Sequence, residues 1–215
     1  DAHVYRIDDD ISQEKLLETI NFLNNDSEVD AILVQLPLPK HLNTDTIVNA
    51  INPDKDIDGF TKENMKRLLS EDTEAGFMPP VYAVILAMLA SINCDLNNKK
   101  VCLKVNSDIF EDNLEEILKR QGAILSDTML EADVVISAQG HADAINAEMV
   151  KDNAVIIDIG IAKDSEGKTC GDVDAESMEN KPGFLSPVPG GVGPMTIAMA
   201  FLNTMIAFKK QKHLD

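Results

Sequence analysis

Three short apolar runs in the second half of the chain constrain the fold most strongly. They cover residues 101–105, 133–138 and 154–159. Continuous runs of this length, rich in Val and Ile, are typical of strands buried on both faces of a parallel sheet. Segments with helical character separate them, at residues 114–120 and near Ala147. The sequence therefore predicts an α/β fold with a parallel sheet.

The first half is predicted to alternate in the same way. Residues 3–7 and 31–35 are strand candidates, and Ser12 is placed to cap a helix that reaches about Asn24. Further helices are predicted at residues 44–51, 64–69, 80–92 and 195–210. The pattern predicts two lobes divided near residues 77–80.

The charge of the chain argues against two classes of partner. Nineteen Lys and Arg residues stand against 37 Asp and Glu residues, a formal net charge of −18. Such a surface repels phosphate backbones and anionic lipid headgroups, so we expect no nucleic-acid or membrane partner. The longest strongly apolar stretch, placed at residues 81–92, is shorter than the roughly 20 residues of a membrane span. The N-terminus lacks the features of a signal peptide.

The cysteines indicate the compartment. Cys94, Cys102 and Cys170 are odd in number, far apart and without a CxxC pair or a Cys/His cluster. The sequence therefore predicts no disulfide framework and no metal site, and a reducing cytoplasm is the expected setting. The chain begins without Met, which we interpret as processing, a tag or truncation.

A polar residue in the loop Val34-Gln-Leu-Pro-Leu-Pro39 is the first candidate for chemistry. Gln35 stands at the carboxyl end of a predicted strand, where open α/β sheets bind ligands. Its amide can donate and accept hydrogen bonds. Gln35 could orient a ligand or a neighbouring amine, or satisfy only loop backbone groups, and the residues leave both open.

The second candidate loop, residues 52–60 (NPDKDIDGF), holds three acids in five residues. The ligand spacing of an EF-hand is missing, so calcium is not expected. A buried carboxylate could instead grip an amidine-like edge of a heterocycle through paired hydrogen bonds. Asp58, next to Gly59, is the best candidate, whereas Asp54 and Lys55 better fit a solvated turn.

The third loop, residues 187–196 (PVPGGVGPMT), holds three glycines and three prolines. Glycines let a backbone approach a ligand closely, and a helix that starts at Pro194 would present free N–H groups. As a bare pattern, the loop could equally be a stiff turn.

In this order, the loops resemble the motifs of the bifunctional methylenetetrahydrofolate dehydrogenase/methenyltetrahydrofolate cyclohydrolase (FolD) family. The matching stretches are VQLPLP (34–39), PDKDIDGF (53–60), IIDIGI (156–161) with GDV (171–173), and PVPGGVGPMT (187–196). The resemblance implies a folate-binding catalytic lobe, residues 1–78 with 188–215, whose front segment is missing. Residues 79–187 would form a Rossmann-like NAD(P)-type lobe, and the C-terminal helix would return to the first lobe.

The resemblance also implies a function. Family enzymes oxidise 5,10-methylenetetrahydrofolate with NAD(P)⁺ and hydrolyse the methenyl product to 10-formyltetrahydrofolate in a cleft between the lobes, commonly as homodimers. Asp58 would hold the pterin ring, and Gln35 would orient the catalytic lysine. The substrate-binding positions would be Val34, Leu36, Pro37, Pro189, Gly190, Gly191 and Thr196.

Three departures from the family pattern bear on activity. The family's Tyr-x-x-x-Lys helix, which bears the catalytic lysine upstream of residues 3–7, is absent from these residues. The cofactor loop Gly-x-Ser-x-x-Val-Gly retains Ser107 and Ile109 as cofactor-binding positions but has Val105 and Glu111 in place of its glycines. Residues 80–84 (PVYAV) replace the family's Cys-Thr-Pro-x-Gly segment.

The altered cofactor loop predicts a defect in dinucleotide binding. The bulk of Val105 and the charge of Glu111, with Asp108 and Asp112 nearby, oppose a pyrophosphate, so NADP is expected to bind weakly or not at all. The chain is then a family enzyme shown without its front segment, a non-redox folate-binding homologue or regulatory subunit, or a structural relic. These three alternatives remain open from the residues.

Overall fold

The computed structural model describes residues 2–70, 76–181 and 183–214. The chain divides into two compact units. Unit 1 comprises Asp1–Pro80 with Ala200–Asp215, and unit 2 comprises Val81–Met199. The predicted mixed α/β fold with two lobes is confirmed.

Unit 1 is built on an apolar centre under helix α1 (Gln13–Asn25). Ser12 caps this helix as predicted, because its side-chain oxygen accepts a hydrogen bond from the backbone N–H of Lys15 at 3.3 Å. Helices α2 (Thr44–Val48) and α3 (Lys62–Leu69) follow. The buried residues of this centre are Leu16, Ile20, Ile32, Leu42, Ile47 and Ile51.

The two strands predicted in unit 1 are wrong. Residues 2–7 pair with no other described segment, and the side chains of Val4 and Tyr5 are 83% and 56% exposed. Residues 31–35 form one parallel bridge, Ile32 with Asp56. A strand is stabilised by its neighbour, and the apolar pattern that suggested these strands carries no information about a neighbour.

Unit 2 contains a five-stranded parallel sheet in the order β2-β1-β3-β4-β7. The three predicted strands are confirmed as its centre, with β1 at Lys100–Val105, β3 at Val134–Ala138 and β4 at Ala154–Asp158. The edge strands β2 (Ile124–Leu125) and β7 (Gly183–Leu185) are too short to give a periodic signal. A separate antiparallel pair joins β5 (Ala162–Lys163) to β6 (Thr169–Cys170).

Unit 2 has helices of different length, and a capping side chain explains where one of them starts. Helix α4 covers Pro80–Ser91, and a short 3₁₀ helix covers Ala147–Met149. Helix α5 (Asp108–Arg120) starts six residues before the predicted position, because Ser107 caps it by accepting the N–H of Phe110. Helix α6 (Val192–Gln211) begins in unit 2 and ends in unit 1.

Helix α6 is the longest apolar segment of the described residues. An 18-residue window of this 20-residue helix has a mean hydropathy of 1.3 and is 17% buried, so the helix is long and apolar enough, by length and composition alone, to cross a membrane. The expectation that residues 81–92 form the longest apolar stretch was therefore wrong. One such helix is weak support for a span, since core helices of soluble proteins pass the same test.

The sheet order makes the core of unit 2 testable with two isoleucines. Ile136 on the central strand β3 is fully buried, whereas Ile124 on the edge strand β2 is 50% exposed. We expect Ile136→Ala to lower the free energy of unfolding by about 3 kcal/mol, because it removes buried methyl groups and leaves a cavity. Ile124→Ala should cost less than about 1 kcal/mol. Urea denaturation checks both values, and equal losses would contradict the central position of β3.

Candidate functional site

The acidic loop of unit 1 is folded around one buried carboxylate. Asp56 is fully buried, and its Oδ1 accepts the backbone N–H of Gly59 at 3.0 Å. Its Oδ2 accepts the N–H of Thr61 at 2.9 Å and the side-chain amide of Asn64 at 3.0 Å. Three donors thus satisfy the charge of Asp56 without a cation. They hold the turn that contains Asp58 in one conformation.

Lys55 anchors the start of this loop to helix α1. Its side chain is buried, and its Nζ donates to the carbonyl oxygens of Leu23 and Asp26 at 3.1 and 2.7 Å. A cation at the last carbonyls of a helix also complements the helix dipole. The expectation that Lys55 belongs to a solvated turn was therefore wrong.

Asp54 fits the surface position that the sequence predicted for it. It forms ion pairs with Lys210 at 2.8 Å and Arg67 at 2.9 Å, and its side chain is 42% exposed. The hydrogen bond from Lys210, together with that from Arg67, holds the pKa of Asp54 below its usual value. Both charge partners come from helices that flank the loop.

Gly59 is required by two features of the turn. Its φ is +72°, a conformation that residues with a side chain rarely adopt. A Cβ placed on it would lie 2.4 Å from the carbonyl oxygen of Phe77. Any larger residue would push the loop away from residues 77–79.

Asp58 is the acid of this loop that is left without a protein partner. Its carboxylate is half-buried and accepts no hydrogen bond from the residues that the structure describes. Burial, and to a smaller degree the charge of Asp56, raises the pKa of Asp58 to about 6. A perturbed carboxyl group with free acceptor atoms is a typical sign of a ligand-binding position.

The bridge between Ile32 and Asp56 places the Gln35 segment beside the Asp58 loop. The N–H of Ile32 donates to the carbonyl oxygen of Lys55 at 2.7 Å, and the two segments run parallel. Residues 33–37 therefore follow the bridge on one side, and residues 57–61 follow it on the other. The structure brings together the two unit 1 motifs that the sequence singled out.

The candidates in residues 34–37 differ in exposure. Val34 is half-buried against the apolar centre of unit 1, and Leu36 is half-buried, whereas Gln35 and Pro37 are exposed. The side-chain N–H of Gln35 donates to the carbonyl oxygen of Leu36 at 3.0 Å. The side-chain nitrogen of Gln35 thus satisfies a loop backbone group, which was one of the two alternatives from the sequence. Its Oε1 accepts no hydrogen bond from the described residues.

Two buried aspartates organise the carboxyl edge of the sheet in unit 2. Asp158 accepts the N–H groups of Gly160, Asp172 and Val173 at 2.9 to 3.1 Å. Asp172 accepts the hydroxyl of Ser137 at 2.6 Å and the N–H groups that follow β3 at 2.7 and 2.9 Å. Burial raises the pKa of Asp158 against these favourable bonds. The IIDIGI and GDV motifs therefore lock the loops after β3 and β4.

The dinucleotide candidates lie at the point where the sheet order reverses, between β1 and β3. Ser107 is exposed, and its side-chain oxygen caps α5 by accepting a hydrogen bond. Ile109 is 40% exposed. Asp108 and Glu111 lie in the first turn of α5, at its positive end. The Asn106 side chain donates to the carbonyl oxygen of Gln139 and so links the ends of β1 and β3.

Tyr82, in the segment that replaces the family's Cys-Thr-Pro-x-Gly pattern, contacts Phe110 in the altered cofactor loop. Tyr82 on α4 is fully buried, and its hydroxyl donates to the carbonyl oxygen of Phe110 at 2.8 Å. The two rings meet edge to face, with centroids 5.1 Å apart. This pairing could not be predicted from local sequence patterns because the residues are 28 positions apart.

The Gly- and Pro-rich loop follows β7 and so lies at the same carboxyl edge of the sheet as Ser107. Pro189 and Gly190 are exposed, and Gly191 is buried, with room for no side chain because a Cβ would lie 2.4 Å from the carbonyl oxygen of Pro187. Thr196 donates to the carbonyl oxygen of Val192 within α6. No group of three His, Cys, Asp or Glu side chains within the described ranges is placed to hold a metal ion.

The fold of unit 2 defines a class of protein. A parallel sheet with one reversal of strand order, and with loops gathered at its carboxyl edge, is a nucleotide-binding type of α/β domain. Residues 79–212 match the family described as tetrahydrofolate dehydrogenase/cyclohydrolase, NAD(P)-binding domain, and residues 1–58 match the catalytic domain of the same family. The chain belongs to the tetrahydrofolate dehydrogenase/cyclohydrolase family.

Relatives and solved structures agree with this assignment. The chain is 41% identical over 212 residues to the bifunctional protein FolD of Hydrogenobaculum sp., covering 94% of this chain and 76% of the relative. The FolD of Bacillus subtilis is 38% identical, with 95% and 75% covered. The FolD structure of Campylobacter jejuni gives a TM-score of 0.84 at 37% identity, with 94% and 75% covered. That of Trypanosoma brucei, complexed with NADP and an inhibitor, gives 0.84 at 27% identity, with 94% and 74% covered.

The geometry of Gly59 yields a stability prediction. Gly59→Ala should lower the free energy of unfolding by about 2 to 4 kcal/mol, because it combines backbone strain with a collision against the carbonyl oxygen of Phe77. The matched control is Gly167→Ala, whose φ is +79° but which has no atom within 4 Å of the added Cβ. It should cost only about 1 kcal/mol. Chemical denaturation that gives equal losses would show that the contact with residue 77 is unimportant.

Proposed function

We propose that this chain binds a tetrahydrofolate one-carbon derivative through Asp58 and serves the dehydrogenase/cyclohydrolase chemistry of its family. The observation that carries the proposal is the carboxylate of Asp58, half-buried and without a described partner inside the matched motif PDKDIDGF. A pterin ring presents a ring N–H and an amino group side by side on one edge. A carboxylate accepts such a pair of donors with both oxygens.

The other acids of the loop are poor candidates for the same task. Both oxygens of Asp56 already accept hydrogen bonds from the loop and from Asn64. Asp54 is paired with two cations on the surface. Only Asp58 among the three can offer both oxygens to a ligand without breaking a bond seen in the structure.

The remaining site positions keep the roles that the resemblance gives them. Gln35 would orient the amine of the family's catalytic lysine through its unpaired Oε1. Val34, Leu36 and Pro37 would contact the substrate from unit 1. Pro189, Gly190, Gly191 and Thr196 keep the substrate-binding role that the same resemblance gives them. A Tyr-x-x-x-Lys pattern does not occur in the 215 residues.

Asp58→Asn tests the proposal through two opposite effects. The variant should weaken folic acid binding at least about tenfold, because an amide replaces one of two acceptors with a donor. It should also raise the free energy of unfolding at pH 7.5 by about 2 kcal/mol. The folded chain favours the protonated form of Asp58, so the ionised carboxylate destabilises it at this pH, whereas a neutral amide does not. Calorimetry with folic acid and urea denaturation measure the two quantities.

The sign of the stability effect follows from the pKa of Asp58. Its pKa of about 6 in the folded chain exceeds the ordinary aspartate value of 3.8, so the native state binds the proton more tightly than the unfolded chain does. The free energy of unfolding therefore falls as the pH rises from about 4 to about 6, and the full penalty is present above that interval. The control Asp54→Asn removes surface ion pairs and should leave folic acid binding within about twofold. Equal loss of binding in both variants would dismiss Asp58 as the pterin contact.

We further propose that NADP binds this chain poorly, because three features of the dinucleotide edge oppose it. Asp108 and Glu111 occupy the helix end that would receive a phosphate. The bond from Asn106 to Gln139 spans the strand ends at the reversal point. Val105 stands where the family has a glycine. The residues present do not fit a bound pyrophosphate. Of the two family activities, this geometry favours hydrolysis of a methenyl folate, because hydrolysis needs no dinucleotide.

A pair of glutamates tests the electrostatic part of this proposal. We expect NADP⁺ to bind the parent chain with a dissociation constant above about 1 mM, and Glu111→Gln to improve that value by about fivefold because a like charge is removed. Glu115→Gln, one turn further along α5, should change it by less than about twofold. Calorimetry with NADP⁺ measures all three. Micromolar binding by the parent chain would contradict the proposal.

The wider setting also remains a proposal. A cytoplasmic homodimer without nucleic-acid or membrane partners is what we expect from the sequence. The net charge of −18 supports the exclusion of phosphate backbones. Homodimers are implied by the family resemblance.

A further inference from the structure

We infer that Asn203 on helix α6 is a positioning residue for Asp58, acting through the peptide groups of the acidic loop. Asn203 is 7% exposed, and its Nδ2 donates to the carbonyl oxygen of Ile57 at 2.8 Å and to that of Met78 at 2.9 Å. Ile57 immediately precedes Asp58 in the chain. This inference rests on the proposed ligand-binding role of Asp58.

Asp58 is held from both sides by buried side chains that do not touch its carboxylate. The peptide before it is fixed by Asn203, which lies 146 residues away in sequence. The peptide after it is fixed by Asp56, which accepts the N–H of Gly59. With both flanking peptides held, the position of the Asp58 Cα and the direction of its Cα–Cβ bond are set by the backbone.

The second bond of Asn203 fixes the segment against which the loop packs. Met78 lies between Phe77 and Pro79, the residues whose backbone atoms would lie closest to a Cβ placed on Gly59. The side-chain amide of Asn203 therefore links the acidic loop to the segment at residues 77–79. The side chains of Ile57, Phe77 and Ala207 pack around this link.

A buried amide at position 203 is less favourable for helix stability than an apolar side chain would be. Asn203 is the buried polar residue of the described helix α6, whose other buried positions are Val192 and Ala207. Asparagine has lower helix propensity than leucine, and burying its amide is unfavourable unless its hydrogens are bonded. Both of its amide hydrogens are used on the two carbonyl groups, so the residue is explained by what it holds.

Three variants test the inference. Asn203→Ala removes the donor, and Asn203→Asp keeps the shape but turns an acceptor towards two carbonyl oxygens. Asn24→Ala is the matched control, because Asn24 also joins two segments of unit 1 by bonds to Ala50 and Asn52 but makes none to residues 57–59. Each is measured by carboxyl NMR titration of Asp58, by calorimetry with folic acid and by thermal unfolding.

The expected result separates positioning from general stabilisation. Asn203→Ala should lower the pKa of Asp58 from about 6 towards its ordinary value of 3.8, because a loosened loop exposes the carboxylate to water. It should weaken folic acid binding about tenfold, and Asn203→Asp should be more severe. Asn24→Ala should lower the thermal midpoint but leave the Asp58 titration in place and binding within about twofold.

Each other outcome decides the matter. An Asp58 titration that stays near pH 6 in Asn203→Ala overturns the inference, and so does an Asn203→Asp variant that behaves like the parent chain. If the alanine variant does not fold, Asn203→Ser, which retains one donor, carries the same test and should show an intermediate shift. Failure of the parent chain to bind folic acid would overturn the proposed function, while the ligand-free titration would still decide the role of Asn203.

Discussion

The buried carboxylate of Asp56 is the interaction on which the acidic loop depends. It replaces a backbone ladder, since it gathers the N–H groups of Gly59 and Thr61 in a region where the described residues form no sheet. Its charge also acts on Asp58 and disfavours ionisation there. One group thus holds the shape of the loop and adds to the effect of burial, which is the larger cause of the raised pKa of Asp58.

Unit 2 uses the same device at the edge of its sheet. Asp158 and Asp172 accept N–H groups from the loops after β3, β4 and β6, and glycines leave room for them. A Cβ on Gly160 or Gly171 would lie within about 2.1 Å of a carboxylate oxygen. Motif residues that suggest ligand contacts therefore also have a structural role. They hold irregular backbone in place where no hydrogen bonds between strands are formed.

The sequence predicted the features that depend on local pattern. The central strands of unit 2 followed from apolar runs, and the start of α1 followed from Ser12. The choice of Asp58 as a site residue stays a prediction. The failures depend on partners distant in sequence. The strand at residues 3–7 has no described neighbour, Lys55 is buried by bonds to α1, and the link from Asn203 spans 146 positions. No periodicity could have revealed these contacts, because each joins segments whose approach is decided by the fold.

The residues that we propose to oppose a dinucleotide also have structural roles in unit 2. Asp108 and Glu111 oppose a phosphate, yet the same charges stabilise the positive end of α5. The hydroxyl of Tyr82 and its ring contact hold Phe110 in that first turn. A glycine restored at position 111 alone would weaken the helix by about 1 kcal/mol and leave Val105 and the buried tyrosine in place. If the proposal of poor NADP binding holds, a change at position 111 alone is insufficient to restore it, because Val105 lies on β1 and the contact of Tyr82 with Phe110 comes from α4.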